Sequence, residues 1–280
     1  MIVSGKDCRK FLQGQLTNDI EQLSHKQISA SYCTHQGKVI TNIRVFASGD
    51  DIVLLLPKIL SNYFVEKISK YILMSDVKFT EYEDSTILWM IDEKAKEFLN
   101  KYEINEIQSF KKISDDVFII NMSNQKFNQC RYIDLKSKNY ENIDFNKLDD
   151  NQTCLLDILS MHTRLKKDDI EKFIPQVLNS DQLETVNYKK GCYTGQEVIA
   201  RTHYLGNVKK HAYLVHVDAS TKNQKSITTK DGESIGELIG ETFVCGNTAL
   251  SHCILRDSAD FNDLYLDHKK IQVVTMEDTV

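Results

Sequence analysis

"YKKGCYTGQEVIARTHYLGN", residues 188–207, sets one cysteine, Cys192, among lysines and glycines just ahead of a helical run. Thr194 followed three residues later by Glu197 fits a capping box. It predicts a helix over "GQEVIARTHYL", with Val198, Ile199 and Leu205 turned to the core and Gly206 as its stop. On that reading Cys192 lies two residues before the N-cap, beside the positive end of the helix dipole. Gly191 is expected to let the backbone bend and leave the thiol uncovered. A helix N-terminus favours a nearby anion by roughly 0.3–1 kcal/mol. An ammonium about 8 Å away adds on the order of 2 kcal/mol before salt screens it. Together they favour the thiolate, which is a soft metal ligand and a nucleophile. The competing reading is a surface turn whose cysteine is incidental and whose lysines are merely solvated.

The whole chain bounds the choice. Its 280 residues suggest two or three domains, and 41% hydrophobic with 27% charged residues is an ordinary globular composition. No window approaches the roughly 18 uninterrupted apolar residues of a spanning helix, so no membrane association is expected. "MIVSGKDCRKFLQGQ" has neither an apolar h-region nor an Arg- and Ser-rich presequence, which favours the cytoplasm. The seven cysteines, Cys8, Cys33, Cys130, Cys154, Cys192, Cys245 and Cys253, include no C-x-x-C spacing. Neither a disulfide framework nor a stable metal site is therefore expected. Most of these thiols sit in apolar runs and read as small buried hydrophobes. A formal net charge of −5 excludes a surface that grips nucleic acid everywhere, while leaving a local basic patch between 189 and 210.

Along the chain, "GKDCRKFLQ" reads as a short helix, and "ISASYCT", "KVITNIRVF" and "DIVLLLP" as strands separated by turn residues. "KILSNYFVEKISKYIL" carries Leu60, Phe64, Ile68 and Tyr71 at helical spacing, a core stripe. "VKFTEY", "TILWMI", "DVFIINM" and "CRYIDL" alternate with the amphipathic "DEKAKEFLNKY", an α+β pattern in which Trp89 is expected in the core. A helix is expected from about Asp150 through "NQTCLLDIL". The last eighty or so residues change to close-spaced strands, "HAYLVHV", "KSITT", "SIGELIGE", "ALSHCILR" and "KIQVVTM", as in a small β-barrel or sandwich.

"KKGCYTGQE" resembles the K-x-C-x-x-G-x-E motif of the YgfZ-type folate-binding proteins, a branch of the superfamily that includes the glycine-cleavage T-protein (aminomethyltransferase). "SGKDCRKFLQGQLTNDI" is similar to that family's opening motif, "HQGKVITNIRVF" to its following strand pair, and "FIPQ" at 173–176 recurs ahead of the cysteine. The likeness spans residues 4 to about 210. It implies a three-domain ring of two α+β domains plus a C-terminal antiparallel β-barrel. The implied domains are 1–45 with 149–205, then 46–148, then 206–280. It also implies tetrahydrofolate binding and support of iron–sulfur proteins such as tRNA-modifying radical enzymes, with direct tRNA contact as a secondary expectation. Cys192 would be the functional thiol and Lys190 would promote its ionisation and attract an anionic partner. Gly191 and Gly195 would shape the turn, Gln196 and Glu197 would hold the helix start, and Tyr193 would belong to the same catalytic set. Asn42, Arg44 and Gln176 are the expected folate contacts.

One departure is informative. Where the aminomethyltransferases carry a carboxylate on a strand hairpin, this chain has Thr41 and Asn42, neither of which can act as a carboxylate base. Aminomethyl transfer is thus the second reading; if the protein is an enzyme, it is a folate-dependent one-carbon transferase. A thiol redox protein, with Cys33 or Cys154 approaching Cys192 in the fold, is the third. His203, His211 and His216 lack ligand spacing, and no phosphate loop or serine elbow is present.

Overall fold

The computed structural model describes residues 1–24, 26–82, 85–123, 128–136 and 150–274. Three antiparallel sheets organise them. The first comprises β1 (Ile2–Ser4), β2 (Ile28–Cys33), β3 (Val39–Ser48), β4 (Asp51–Leu55) and β5 (Lys78–Thr80), in the order β2-β3-β4-β1-β5. Helices α1 (Cys8–Gln13) and α2 (Lys58–Ser69) pack on it. Leu60, Phe64 and Ile68 of α2 are buried as their spacing requires, and Phe64 meets Tyr32 edge-on at 5.2 Å between ring centroids. Tyr71 falls beyond the helix end and is exposed, a correction to the stripe.

The second sheet holds β6 (Thr86–Ile91), β7 (Phe110–Ser114), β8 (Val117–Asn121) and β9 (Gln129–Asp134), in the order β6-β9-β8-β7, with α3 (Asp92–Lys101) on one face. Its other face meets the first sheet through Phe46, Val53, Phe118, Ile120 and Ile133. β3 and β4 pair with each other and β4 pairs with β1, so a boundary at 45/46 would cut a strand in two. The first sheet runs on to β5, which ends at Thr80, and the second begins at β6, which starts at Thr86. Residues 137–148 of the expected second domain lie outside the described residues.

After α4 (Asp150–Leu159) the chain returns to the first sheet through two 3₁₀ turns and reaches α5 (Gln196–Leu205). The C-terminal antiparallel barrel comprises β10 (Lys210–Asp218), β11 (Ser226–Thr228), β12 (Ser234–Cys245), β13 (Thr248–Arg256), β14 (Tyr265–Leu266), β15 (Lys269–Lys270) and β16 (Gln272–Val274). Their order is β15-β14-β11-β12-β13-β10-β16, around a core of Val215, Ile227, Leu238, Cys253, Leu255 and Leu266. A bulge in β12 between Ile239 and Thr242 is held where the Glu241 amide donates to the Arg164 carbonyl (2.9 Å) and the Gly240 amide to the Asp169 carboxylate (2.8 Å). That bulge fastens the barrel to the loop after α4.

Candidate functional site

The loop bearing Cys192 is tied to the opening motif rather than capped by its own helix. Lys190 is buried, and its ammonium donates to the backbone carbonyls of Gln13, Leu16 and Asn18, each at 2.7 Å. These three carbonyls end α1 and shape the turn after it. Burial pushes the Lys190 amine down to about 8, so the ammonium persists at neutral pH. Its charge is thus spent inside the fold, which corrects the expectation that Lys190 offers itself to the thiol or to an anionic partner. Further bonds brace the same loop: the Thr194 amide to the Gly14 carbonyl (3.2 Å), the Thr194 hydroxyl to Gln15 Oε1 (3.2 Å), and the Asn187 amide to the Thr17 carbonyl (3.0 Å).

Gly195, at φ +85°, is the N-cap of α5, and a Cβ there would run into the Thr34 carbonyl and the Gly37 backbone. The expected capping box does not form, because the Thr194 hydroxyl is turned to Gln15 and Glu197 is exposed. Gln196 opens the helix, its amide bonded to the Tyr193 carbonyl. Gly191 has an ordinary φ, and a Cβ on it would meet nothing within 4 Å, so bending does not require glycine there. Tyr193 is buried against Cys33 and Ile199, with the Lys190 ammonium 5.2 Å from its ring centre. Cys192 itself is exposed. Of the residues expected to face the core from α5, only Ile199 does so; Val198 is 38% and Leu205 84% exposed.

A cavity of about 860 Å³ opens where all three sheets meet. Asn42 and Arg44 reach it from β3, Trp89 from β6, Arg131 from β9, Asp157 from α4, and Arg164 and Glu241 from the barrel side. Asp157 is clamped: Arg131 Nη2 donates to Oδ1 and Arg164 Nε to Oδ2, both at 2.6 Å. Burial raises the Asp157 carboxyl, but Arg131, Arg164 and Arg44 outweigh it and hold it below the usual carboxylate range. The Arg131 guanidinium lies 3.6 Å from the centre of the Trp89 ring. Trp89 is therefore part of the cavity wall and not the core residue expected from its strand pattern. Asn42 Oδ1 accepts from the Ser31 hydroxyl (2.7 Å).

Gln176 does not reach this cavity. Its Nε2 donates to the Ile199 carbonyl (2.8 Å) and the Tyr188 hydroxyl (3.3 Å), which fastens α5 and corrects the expected folate contact. Sequence reading missed Arg131, Asp157 and Arg164. Their signal was an ionisable residue inside an apolar run, "CLLDIL" for Asp157 and "CRYIDL" for Arg131, where burial demands a partner. Among the described residues no group of three His, Cys, Asp or Glu side chains is placed to hold a metal ion, and no helix is long and apolar enough to cross a membrane.

The aminomethyltransferase T of the glycine cleavage system from Bartonella henselae superposes with a TM-score of 0.69 at 10% identity, over 98% of this chain and 82% of that one. The fold is thus like that of the glycine-cleavage T-protein. No family model matches. The "tRNA-modifying protein YgfZ" of Buchnera aphidicola is 31% identical over 217 residues, 72% of this chain. The protein of the same name from Aliivibrio fischeri is 26% identical over 261 residues, 88% of this chain and 76% of that one. By sequence the chain is similar to these YgfZ proteins. The match spans 65% of the Buchnera relative's length.

Proposed function

We propose that the protein is a cytoplasmic, folate-binding accessory factor for iron–sulfur enzymes that modify tRNA, with methylthiolation the step affected and Cys192 its working thiol. The observation that carries this is an exposed cysteine on a loop pinned at both sides, Lys190 before it and Thr194 after it. A surface turn with an incidental cysteine needs no such bracing. The YgfZ relatives are named as tRNA-modifying proteins, which supports the link to tRNA modification.

The central cavity fits a folate. Arg44 is buried along its wall, and its Nη2 has no partner among the described residues, as suits an acceptor-bearing ligand. When bound, tetrahydrofolate would supply a reduced, one-carbon-carrying pterin. The chain's part is to orient it: Trp89 and Arg131 provide a flat wall, and Asn42 a neutral amide. Asp157 is locked between two guanidiniums and so is unsuited to accept a proton, and Asn42 carries no carboxylate. This favours binding over aminomethyl transfer. A redox role has less support: Cys33 and Cys154 are both buried, and burial pushes the Cys154 thiol up to about 12. One thiolate supplies one of the four ligands an iron–sulfur cluster takes, so contact with a client's cluster would be transient.

The test is complementation. In a bacterium lacking its own YgfZ-type protein, this chain should restore methylthiolated nucleosides in tRNA, measured by mass spectrometry of digested tRNA. A stably expressed chain that leaves them at the deletion level would overturn the reading.

A further inference from the structure

A second cavity of about 560 Å³, sharing only Ser29 with the central one, is lined by Tyr188 and Lys189, which lead into the Cys192 loop. Its wall is aromatic. The Tyr188 ring stacks on His203 with centroids 3.7 Å apart, and Tyr204 stands edge-on to both, at 6.2 and 4.8 Å. The Tyr188 hydroxyl is already spent, donating to Asp181 at 2.6 Å, so this residue presents its ring. Carboxamides surround the rings with atoms to spare: the Gln108 side chain, Gln22 Oε1 and Asn187 Nδ2 have no partner among the described residues. Glu184 and Lys189 complete the wall, both exposed and outside any ion pair among the described residues. Gln108 and Glu184 are held at φ +63° and +50°, left-handed conformations that are costly without glycine and that cluster at ligand sites.

These groups discriminate among ligands. An apolar segment would bury the carboxamides unpaired, and a bare phosphate would face Glu184. A nucleobase satisfies both: its flat face stacks on aromatic rings, and its edge carries the donors and acceptors that carboxamides and a carboxylate complete. Lys189 then serves the phosphate, and the exposed Arg201, three residues before Tyr204 on α5, adds a second cation on that face of the helix. We propose that this cavity seats one unpaired nucleotide of an RNA strand, its base against Tyr204 and its phosphate toward Lys189. This rests on the tRNA-modification reading above and gives it a direct contact with RNA. Lys189 and Cys192 are three residues apart, a reach of at most about 11 Å between their Cα atoms, so a nucleotide held here is brought close to the exposed thiol.

The probe is a fluorescein-labelled single-stranded RNA heptamer with 2-aminopurine at its centre, titrated into the full-length protein. It should bind, and stacking should quench the 2-aminopurine. Tyr204→Ala removes a ring that is 64% exposed and so spares the fold; it should weaken binding about tenfold and relieve the quenching. Tyr204→Phe, which keeps the ring, should bind within about twofold of wild type. Lys189→Gln should lower the slope of log affinity against log salt by about 0.7, the loss of one phosphate contact on a single strand. The same sequence in a duplex should bind at least about tenfold more weakly, since its bases are not free to enter. Tetrahydrofolate should not displace the heptamer, because the two cavities share only Ser29. Heptamer affinity unchanged by Tyr204→Ala, equal binding of the duplex, or displacement by tetrahydrofolate would each overturn the proposal. So would absence of heptamer binding in a protein that restores methylthiolation, which would leave the function standing. Heptamer binding with these dependences in a protein that fails to restore methylthiolation would instead sink the function and leave the nucleotide site in place.

Discussion

The ammonium of Lys190 donates to the backbone carbonyl of Leu16 across 2.7 Å, bridging positions 174 residues apart in sequence. With Gln13 and Asn18 as the other two acceptors, it joins "FLQGQLTND" to "KKGCYTGQE". The two stretches that carry the resemblance are thus one physical unit, and each makes sense only against the other. Lys190→Ala should lower stability by about 3 kcal/mol or more, because it strands three carbonyls that a charged donor had satisfied. Urea unfolding measures this, and a change under about 0.5 kcal/mol would show the cage to be dispensable.

The two glycines flanking the cysteine should separate cleanly. Gly195→Ala forces a Cβ into the Thr34 carbonyl at a left-handed φ of +85°, and should cost about 2 kcal/mol or more. Gly191→Ala meets open space at an ordinary φ and should be neutral within about 0.5 kcal/mol. Equal effects of the two substitutions on the thermal midpoint would contradict the geometry.

Much of the architecture was legible in the sequence because its physics is local. The spacing of Leu60, Phe64 and Ile68 fixes the buried face of α2, and the strand runs from Ile28 to Leu55 alternate with recognisable turns. The exposed placement of Cys192 was legible too, from its polar and glycine-rich surroundings. What failed depends on contacts distant in sequence. Thr194 and Glu197 have the right spacing for a capping box, but Gln15 captures the threonine hydroxyl from the far end of the chain. Lys190 reads as a solvated cation until the α1 carbonyls close around it. Trp89 lies in an apolar strand, yet Arg131 draws its ring to the cavity. β7, with four of its five residues exposed, carries too little apolar signal to be read as a strand.

Acid should destabilise the protein well before its carboxylates titrate. Burial pushes the His252 imidazole down to about 4, and burial with Arg44 holds His162 well below the ordinary 6.5. Between these values the unfolded chain binds protons that the folded protein refuses, so stability falls as pH falls from 6.5 toward 4. His252 alone accounts for up to about 3 kcal/mol of that slope. Urea unfolding at pH 7.5 and 4.5 should show the loss, and His252→Gln should reduce it. A flat wild-type profile would contradict the assignment.

Asp157 adds a second, lower limb. Its folded value is depressed, so its contribution is complete above the ordinary carboxylate range and is lost as pH falls through the depressed value. Asp157→Asn should cost about 3–5 kcal/mol at neutral pH, by leaving Arg131 without its anion and Arg164 with only Glu241 at 3.4 Å. It should also remove the limb below about pH 4. Stability unchanged in the asparagine variant would show that the two arginines find other partners.

The Cys192 sulfur is the group through which the proposed function acts. In a bacterium deleted for its own YgfZ-type protein, methylthiolated tRNA nucleosides should be quantified with wild-type chain and with Cys192→Ser, both confirmed folded and equally expressed. The wild-type chain is predicted to restore the modification and the serine variant to leave it near the deletion level. Full restoration by Cys192→Ser would contradict the central claim.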